Sequence, residues 1–340
     1  MGFLVAAPRA APVAGRAHAG AGQALIHRLL AHPWWPWIRR ICFGGCIAFV
    51  LVLLARYARH VDWPKVVESM RELPPGVLAT AVGFAVISHL VYSLLDLVGR
   101  HYTGHHLAAR KVMQVSFTSY AFNLNLGSLV GGIGFRYRLY SRLGLRPGQI
   151  TRIVTLSMVT NWLGYILLAG LVFSFAPLQL PPDWKIDSEG LQLVGVGLLA
   201  FEVVYLGLAA FAKKRCFKIR GYEVPIPTLK VAGAQLGVSC THWLFMAAVP
   251  WALLQGQVDY PTVLSVLLLA SIAGVMLHVP AGLGVTEAVF VALLSHRIPV
   301  HELIGALLAF RAVFYLMPLA AGALLYLKVE VRTRNKEAVA

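Results

Sequence analysis

Glu287 and Arg311 are an acid and a guanidinium set among apolar residues. Glu287 stands just after the break Pro280-Ala-Gly-Leu-Gly284, and Arg311 lies within the last apolar run. At membrane depth each would cost about 2.5–3.5 kcal/mol unless paired or hydrated, so the two are expected to meet. The sequence leaves open whether such a pair only closes the structure or also serves ion coupling. Glu287 equally suits a helix N-terminus, where the macrodipole favours an anion. A second group lies in SYAFNLNLGSLVGGIGFRYRLYSR, Ser119–Arg142. There Asn123 and Asn125 interrupt an apolar segment, Gly131, Gly132 and Gly134 loosen its backbone, and Arg136, Arg138 and Arg142 follow. Guanidinium groups grip phosphate bidentately, which makes Arg136 and Arg311 candidates for a phosphate-bearing headgroup. The alternative for the arginines near the glycines is that they only fix orientation in the membrane. Asn123, Asn125 and Asn161 can serve a headgroup or satisfy broken backbone. His89 and His242 are candidates for hydrogen bonds between helices, or for a proton relay.

Such residues need elements that hold them inside a bilayer. Hydrophobic residues make up 58% of the 340 and charged residues 13%, and apolar runs of roughly 18–25 residues recur, each able to cross a ~30 Å hydrocarbon core. Alternating, strand-like segments are few, which argues against a β-barrel. The net charge of +16 would point to nucleic acid in a soluble chain. Here it falls in loops between apolar runs, as the positive-inside rule predicts, and no nucleic-acid partner is expected. Cys42, Cys46, Cys216 and Cys240 contain no CxxC pairing, so neither a disulfide framework nor a zinc site is expected. His101, His105 and His106 have metal-like spacing but sit in a basic loop, and no cofactor is expected. No GxxxxGK[ST], GxSxG or HExxH motif is present, so neither nucleotide hydrolysis by the common route nor a recognised catalytic site is indicated.

Charge fixes an expected topology. Residues 1–33 carry Arg9, Arg16 and Arg28 without an acid and predict a disordered basic cytoplasmic tail. Trp34, Trp35 and Trp37 predict an interfacial belt. Full spans are expected at Ile38–Tyr57, Pro75–Val98, Ile153–Ala176, Leu191–Ala212, Val231–Leu254 and Leu303–Leu327. Residues 34–328 would form one transmembrane domain and 329–340 a cytoplasmic tail, with both termini cytoplasmic. Asp96 and Glu202 are placed near span ends, within reach of water. Gly99–Lys111 has three Lys/Arg and no acid, and Phe135–Arg152 has five arginines and no acid. Both flanks of the Asn/Gly-broken segment therefore belong inside. A re-entrant hairpin over about 112–150, turning near Gly131–Gly134, satisfies them, and a second is expected over about 261–298. The alternative is eight plain spans.

The two broken regions echo each other. Gly131-Gly132-Ile133-Gly134 recurs 150 residues on as Ala281-Gly282-Leu283-Gly284, Asn161 and Tyr165 correspond to Arg311 and Tyr315, and Ser88-His89 resembles Thr241-His242 at an offset of 153. The charge rule sends the spans holding His89 and His242 in opposite directions. Repeat units of about 75–176 and 225–328, inverted and each carrying a Gly/Pro break, are a transporter signature. The expected fold is thus an all-α polytopic membrane protein with about six full spans and two oppositely oriented re-entrant hairpins.

SYAFNLNLGSLVGGIGFRYRLYSRLGL, VPAGLGVTEAVF and the Arg311-containing last span resemble the transmembrane (flippase) domain of lysylphosphatidylglycerol synthases, and more closely the stand-alone YbhN-type bacterial inner-membrane proteins. The resemblance covers about Trp37 to Lys328. It implies lipid translocation between leaflets of a bacterial inner membrane, with a membrane phospholipid as substrate. By motif position it points to Asn123, Asn125, the glycine cluster, Arg136, Gly282, Gly284, Glu287 and Arg311. Only twelve residues follow Lys328, so the soluble aminoacyl-transfer domain of the full synthases is not expected. Two other classes stay open: an integral-membrane lipid-modifying enzyme using Glu287 and the His101/His105/His106 group, and a non-transporting scaffold for a lipid synthase.

Overall fold

The computed structural model describes residues 63–337, apart from 177, 179, 182–186, 213–215, 220–221, 226 and 278. The expected tail 1–33, the Trp34/Trp35/Trp37 belt, Cys42, Cys46 and the first span Ile38–Tyr57 lie outside the described residues. Within them the chain is almost wholly helical. In order it forms α1 (Trp63–Arg71), α2 (Pro75–Ser93), α3 (Leu95–Thr103), α4 (Ala109–Leu126), a π-helical stretch (Ser128–Gly134), α5 (Phe135–Arg142), α6 (Pro147–Phe175) and α7 (Ser188–Phe211). After these come α8 (Leu229–Leu253), α9 (Tyr260–Met276), a short turn (Pro280–Gly282), α10 (Val285–Leu294), α11 (Val300–Arg311), a second π-helical stretch (Ala312–Leu316) and α12 (Met317–Glu337). Between α7 and α8, β1 (Cys216–Ile219) pairs antiparallel with β2 (Tyr222–Pro225), a small ribbon the hydropathy pattern did not announce.

Among the described residues five stretches are long and apolar enough to cross a membrane: 75–103, α6, α7, α8 and 300–328. They fall on the expected spans, and the chain is an all-α polytopic membrane protein. The ends follow local chemistry. Gly144, at φ +85°, closes the turn after α5 and Pro147 opens α6, because a first helical turn does not need the N–H that proline lacks. Asp187 caps α7 through Gly190 N (2.8 Å), and Asp259 caps α9 through Thr262 N (3.0 Å). α12 runs past the expected span end at Leu327 to Glu337.

α2 and α8 form the central pair and run antiparallel. Phe84 meets Phe245 (ring centroids 5.9 Å), Ser88 meets His242, and Tyr92 packs near Val238. Around this pair the contacts are reciprocal. α2 packs on α4 as α8 packs on α9, and α6 packs on α9 as α12 packs on α4. Each broken hairpin thus lies against a long helix from the other half of the chain.

In the first hairpin the chain reverses at Gly127 (φ +81°), four residues before the expected Gly131–Gly134. Only glycine adopts that backbone without strain. Gly131 has a different task in the return limb: a β-carbon there would overlap the Phe122 carbonyl and Asn123 N. Phe122 and Phe135 stack across the hairpin (4.0 Å). In the second, Ala281, Gly282 and Gly284 all have positive φ, and α10 returns along α9.

Candidate functional site

Arg311 ends α11, immediately before the backbone loosens into its π-helical stretch. Glu287 lies in the first turn of α10, behind Gly284. The two meet: Arg311 Nε donates to Glu287 Oε1, and Nη2 donates to Oε2 at 2.9 Å. The same guanidinium donates from Nη1 to the Ala281 carbonyl (3.1 Å) and from Nη2 to the Gly282 carbonyl (2.9 Å). Those carbonyls belong to residues at φ +57° and +56°, outside any helical ladder, where an unsatisfied backbone group is costly. Arg311 therefore neutralises the acid and repairs the break together. Among the described residues four of its five N–H groups find an acceptor, and one on Nη1 does not. Its Cζ stands 5.3 Å from the Tyr315 ring centre. The two side chains keep 12% and 11% exposure.

Arg136 sits in the opposite situation. Its side chain is 2% exposed and locked onto Asp96 of α3, itself fully buried. Nε lies 3.1 and 3.3 Å from the two carboxylate oxygens, Nη2 lies 3.2 Å from Oδ1, and Nη1 donates to the Gly132 carbonyl at 3.1 Å. Tyr140 OH (2.8 Å) and Ser157 Oγ (2.7 Å) also donate to Asp96. Every lone-pair direction of this carboxylate is used. Sequence reasoning put Asp96 near water; the structure seals it inside, because α3 packs across α4 and α6. One signal was available: Asp96 is the sole acid between Glu72 and Asp183, facing a run rich in arginine.

The remaining candidates divide between repair and unfilled capacity. Asn125 Nδ2 donates to the Ala121 carbonyl (2.9 Å) and to the Tyr315 carbonyl (3.2 Å), tying the first hairpin to the loosened last span. Asn123 lies against Gly132, where a β-carbon would come within 2.9 Å of its Oδ1. Asn161 offers its backbone carbonyl to Ser239 (3.0 Å) and Trp243 (3.2 Å). The side-chain oxygens of Asn123 and Asn161 are buried without a partner. His242 contacts Ser88 through Nδ1 (2.9 Å to Oγ, 3.2 Å to the carbonyl) and Tyr120 OH through Nε2 (3.1 Å). A proton on Nδ1 satisfies these contacts together. Tyr120 stacks on Tyr92 (3.5 Å), which lies below Arg136. His89 bonds the Ala85 carbonyl through Nδ1 (2.9 Å) and leaves Nε2 unpaired. Among the described residues no three His, Cys, Asp or Glu gather as metal ligands. His105 instead accepts from Leu107 N (3.3 Å).

The two breaks converge. α4 packs against the 280–282 turn and against the π-helical stretch after Arg311. Apolar residues at both tips, Leu129, Val130, Met276, Leu277 and Leu283, are exposed. Fold and site together define a multi-pass membrane protein built around two helical hairpins with buried charge at their breaks. The family described as "Lysylphosphatidylglycerol synthase TM region" matches residues 41–322, and the chain belongs to it. Among its relatives, "Inner membrane protein YbhN" of Escherichia coli (strain K12) is 47% identical over 309 residues, 91% of this chain and 97% of that protein. "Uncharacterized protein slr0712" of Synechocystis sp. (strain ATCC 27184 / PCC 6803 / Kazusa) is 30% identical over 298 residues, 85% and 92% of the two chains.

Proposed function

We propose that this protein moves a lipid between leaflets of a bacterial inner membrane, its cargo an anionic or aminoacylated phospholipid or a related lipid. The observation that carries this reading is Arg311: a partly exposed guanidinium at the meeting point of two broken hairpins, with one N–H that meets no acceptor among the described residues. A phosphate could be held there, while acyl chains lie along the exposed apolar tips and stay in the bilayer. The glycine-rich turns allow close backbone approach to a headgroup, and the buried oxygens of Asn123 and Asn161 offer acceptors for its donors. Arg136, enclosed by Asp96, would reach a headgroup only in a conformation that opens that pair. The relation between residues 75–176 and 225–328 supports an inverted-repeat mechanism in which one unit rocks against the other. Neither nucleotide hydrolysis nor lipid synthesis has a role in this scheme, and both termini are assigned to the cytoplasm.

Reconstitution tests it. Purified protein in liposomes with fluorescent phospholipids of several headgroups should speed leaflet exchange, and Arg311→Gln should slow it by at least about tenfold, the equivalent of about 1.4 kcal/mol. Unchanged exchange with the wild-type chain across all headgroups overturns the reading. New lipid products would indicate an enzyme instead, and full function of Arg311→Gln in vivo a scaffold.

A further inference from the structure

Glu202 lies in α7, about 14 Å of helix from its end at Phe211 and about 21 Å from its start at Ser188. Sequence reasoning placed it within reach of water. The structure buries it well inside the apolar α7, 1% exposed, on a helix whose Leu193, Phe201, Val203 and Phe211 face outward. Among the described residues neither carboxyl oxygen has a hydrogen-bond partner. This sets it apart from the other two buried acids among the described residues: Asp96 is held by Arg136, Tyr140 and Ser157, and Glu287 by Arg311.

The neighbouring donors are spent on each other. Tyr205, one turn along α7, donates to Gln235 Oε1 (3.0 Å), and Gln235 Nε2 donates to Thr160 Oγ1 (2.8 Å). Cys240 on α8 points its thiol at the Gly164 carbonyl (3.7 Å). The titratable groups that act on or near Glu202 are Tyr205 on its own helix, Cys240 on α8 and, beside Tyr205, Tyr102 on α3. None is a cation. An anion with no counter-charge and no donor is the costliest state such a site can hold, whereas a single carboxyl binds one proton with no further ligand.

We propose that Glu202 is the site at which this chain binds its coupling proton, taken up and released as movement of α7 admits water. The binding itself stands on the geometry of α7; the coupling rests on the lipid-translocation reading. The occupied site is the neutral acid, and release leaves a carboxylate that only a hydrated conformation tolerates.

The test uses the full chain in liposomes and dicyclohexylcarbodiimide, an apolar reagent that attacks protonated carboxyls. Peptide mass spectrometry should find the adduct on Glu202. Its yield should fall about tenfold per pH unit above the midpoint of a one-proton titration and vanish in Glu202→Gln. Lipid exchange in the same liposomes should respond to an imposed proton gradient in wild type and in Glu202→Asp, which keeps the carboxyl, and lose that response in Glu202→Gln. No adduct at any pH from about 5 to about 9, or a yield that ignores pH, overturns proton binding. A titrating adduct with a gradient response unchanged in Glu202→Gln overturns the coupling. A titrating adduct in liposomes whose wild-type protein moves no lipid upholds the proton site and overturns the transport reading instead.

Discussion

Arg136 and Arg311 each hold a carboxylate inside the fold, but the surroundings make the pairs unequal. Arg136–Asp96 is fully enclosed and carries two further donors on the acid, whereas Arg311–Glu287 retains a margin of exposure. Removing one member of an enclosed pair leaves a charge with nowhere to go, at a cost of about 3–5 kcal/mol. Asp96→Asn is therefore expected to lower the thermal stability of the detergent-purified protein severely, while Glu287→Gln lowers it less. Melting curves that reverse this order would contradict the burial described for the two sites. In the loop before α9, Asp259 offers a milder case. Burial alone would raise its pKa, but the bonds from Thr262 and the nearby Arg297 outweigh it and hold the carboxyl below its usual range. A depressed folded-state value means the contribution is complete above the unfolded value of about 3.9 and is lost as pH falls through the lowered one. Asp259→Ala should cost about 1 kcal/mol at neutral pH, and the difference from wild type should shrink in acid.

The hairpins place their glycines by task, one at the reversal and others where limbs touch. Gly131 faces the Phe122 carbonyl with no room for a methyl group, whereas Gly83 in α2 has open space around it. Gly131→Ala should force the limbs apart and cost about 1–3 kcal/mol or more, and Gly83→Ala should be neutral or slightly stabilising. Equal melting temperatures for the two variants would mean that the limbs are not in close contact. The same logic applies where α6 and α8 cross at Gly164, against Ser239 and Cys240 N; small residues permit such close helix approach in membranes.

At the scale of the molecule the open matter is how the first hairpin meets the bilayer. The re-entrant arrangement puts both its flanks in the cytoplasm; eight plain spans put one outside. Lys111 and Gly148 are exposed on those flanks, and a β-carbon on Gly148 meets nothing. In a chain freed of its own cysteines, Lys111→Cys and Gly148→Cys should react with an impermeant maleimide only after lysis. Labelling of Gly148→Cys in intact cells would establish the plain-span alternative. Tyr140 is unsuited to this experiment because it is fully buried.

Hydropathy and charge, both local in the chain, were enough to determine the helical membrane class, the described spans, the two broken regions and the Glu287–Arg311 partnership, since a charge in an apolar run must find another. Spacing also located the glycines that break the backbone. It could not tell which glycine turns the chain, because only the folded structure sets Gly127 at φ +81° and packs Gly131 against Phe122. Nor could it show that Asp96 and Glu202 are buried. Both lie near places where a linear reading sees a route to water, and only the packing of α3 across α4 and α6, and of α7 against α6 and α8, closes that route. The same packing separates their fates: it brings three partners to Asp96 and none to Glu202. Burial and pairing are properties of neighbours distant in sequence, and tertiary structure alone decides them.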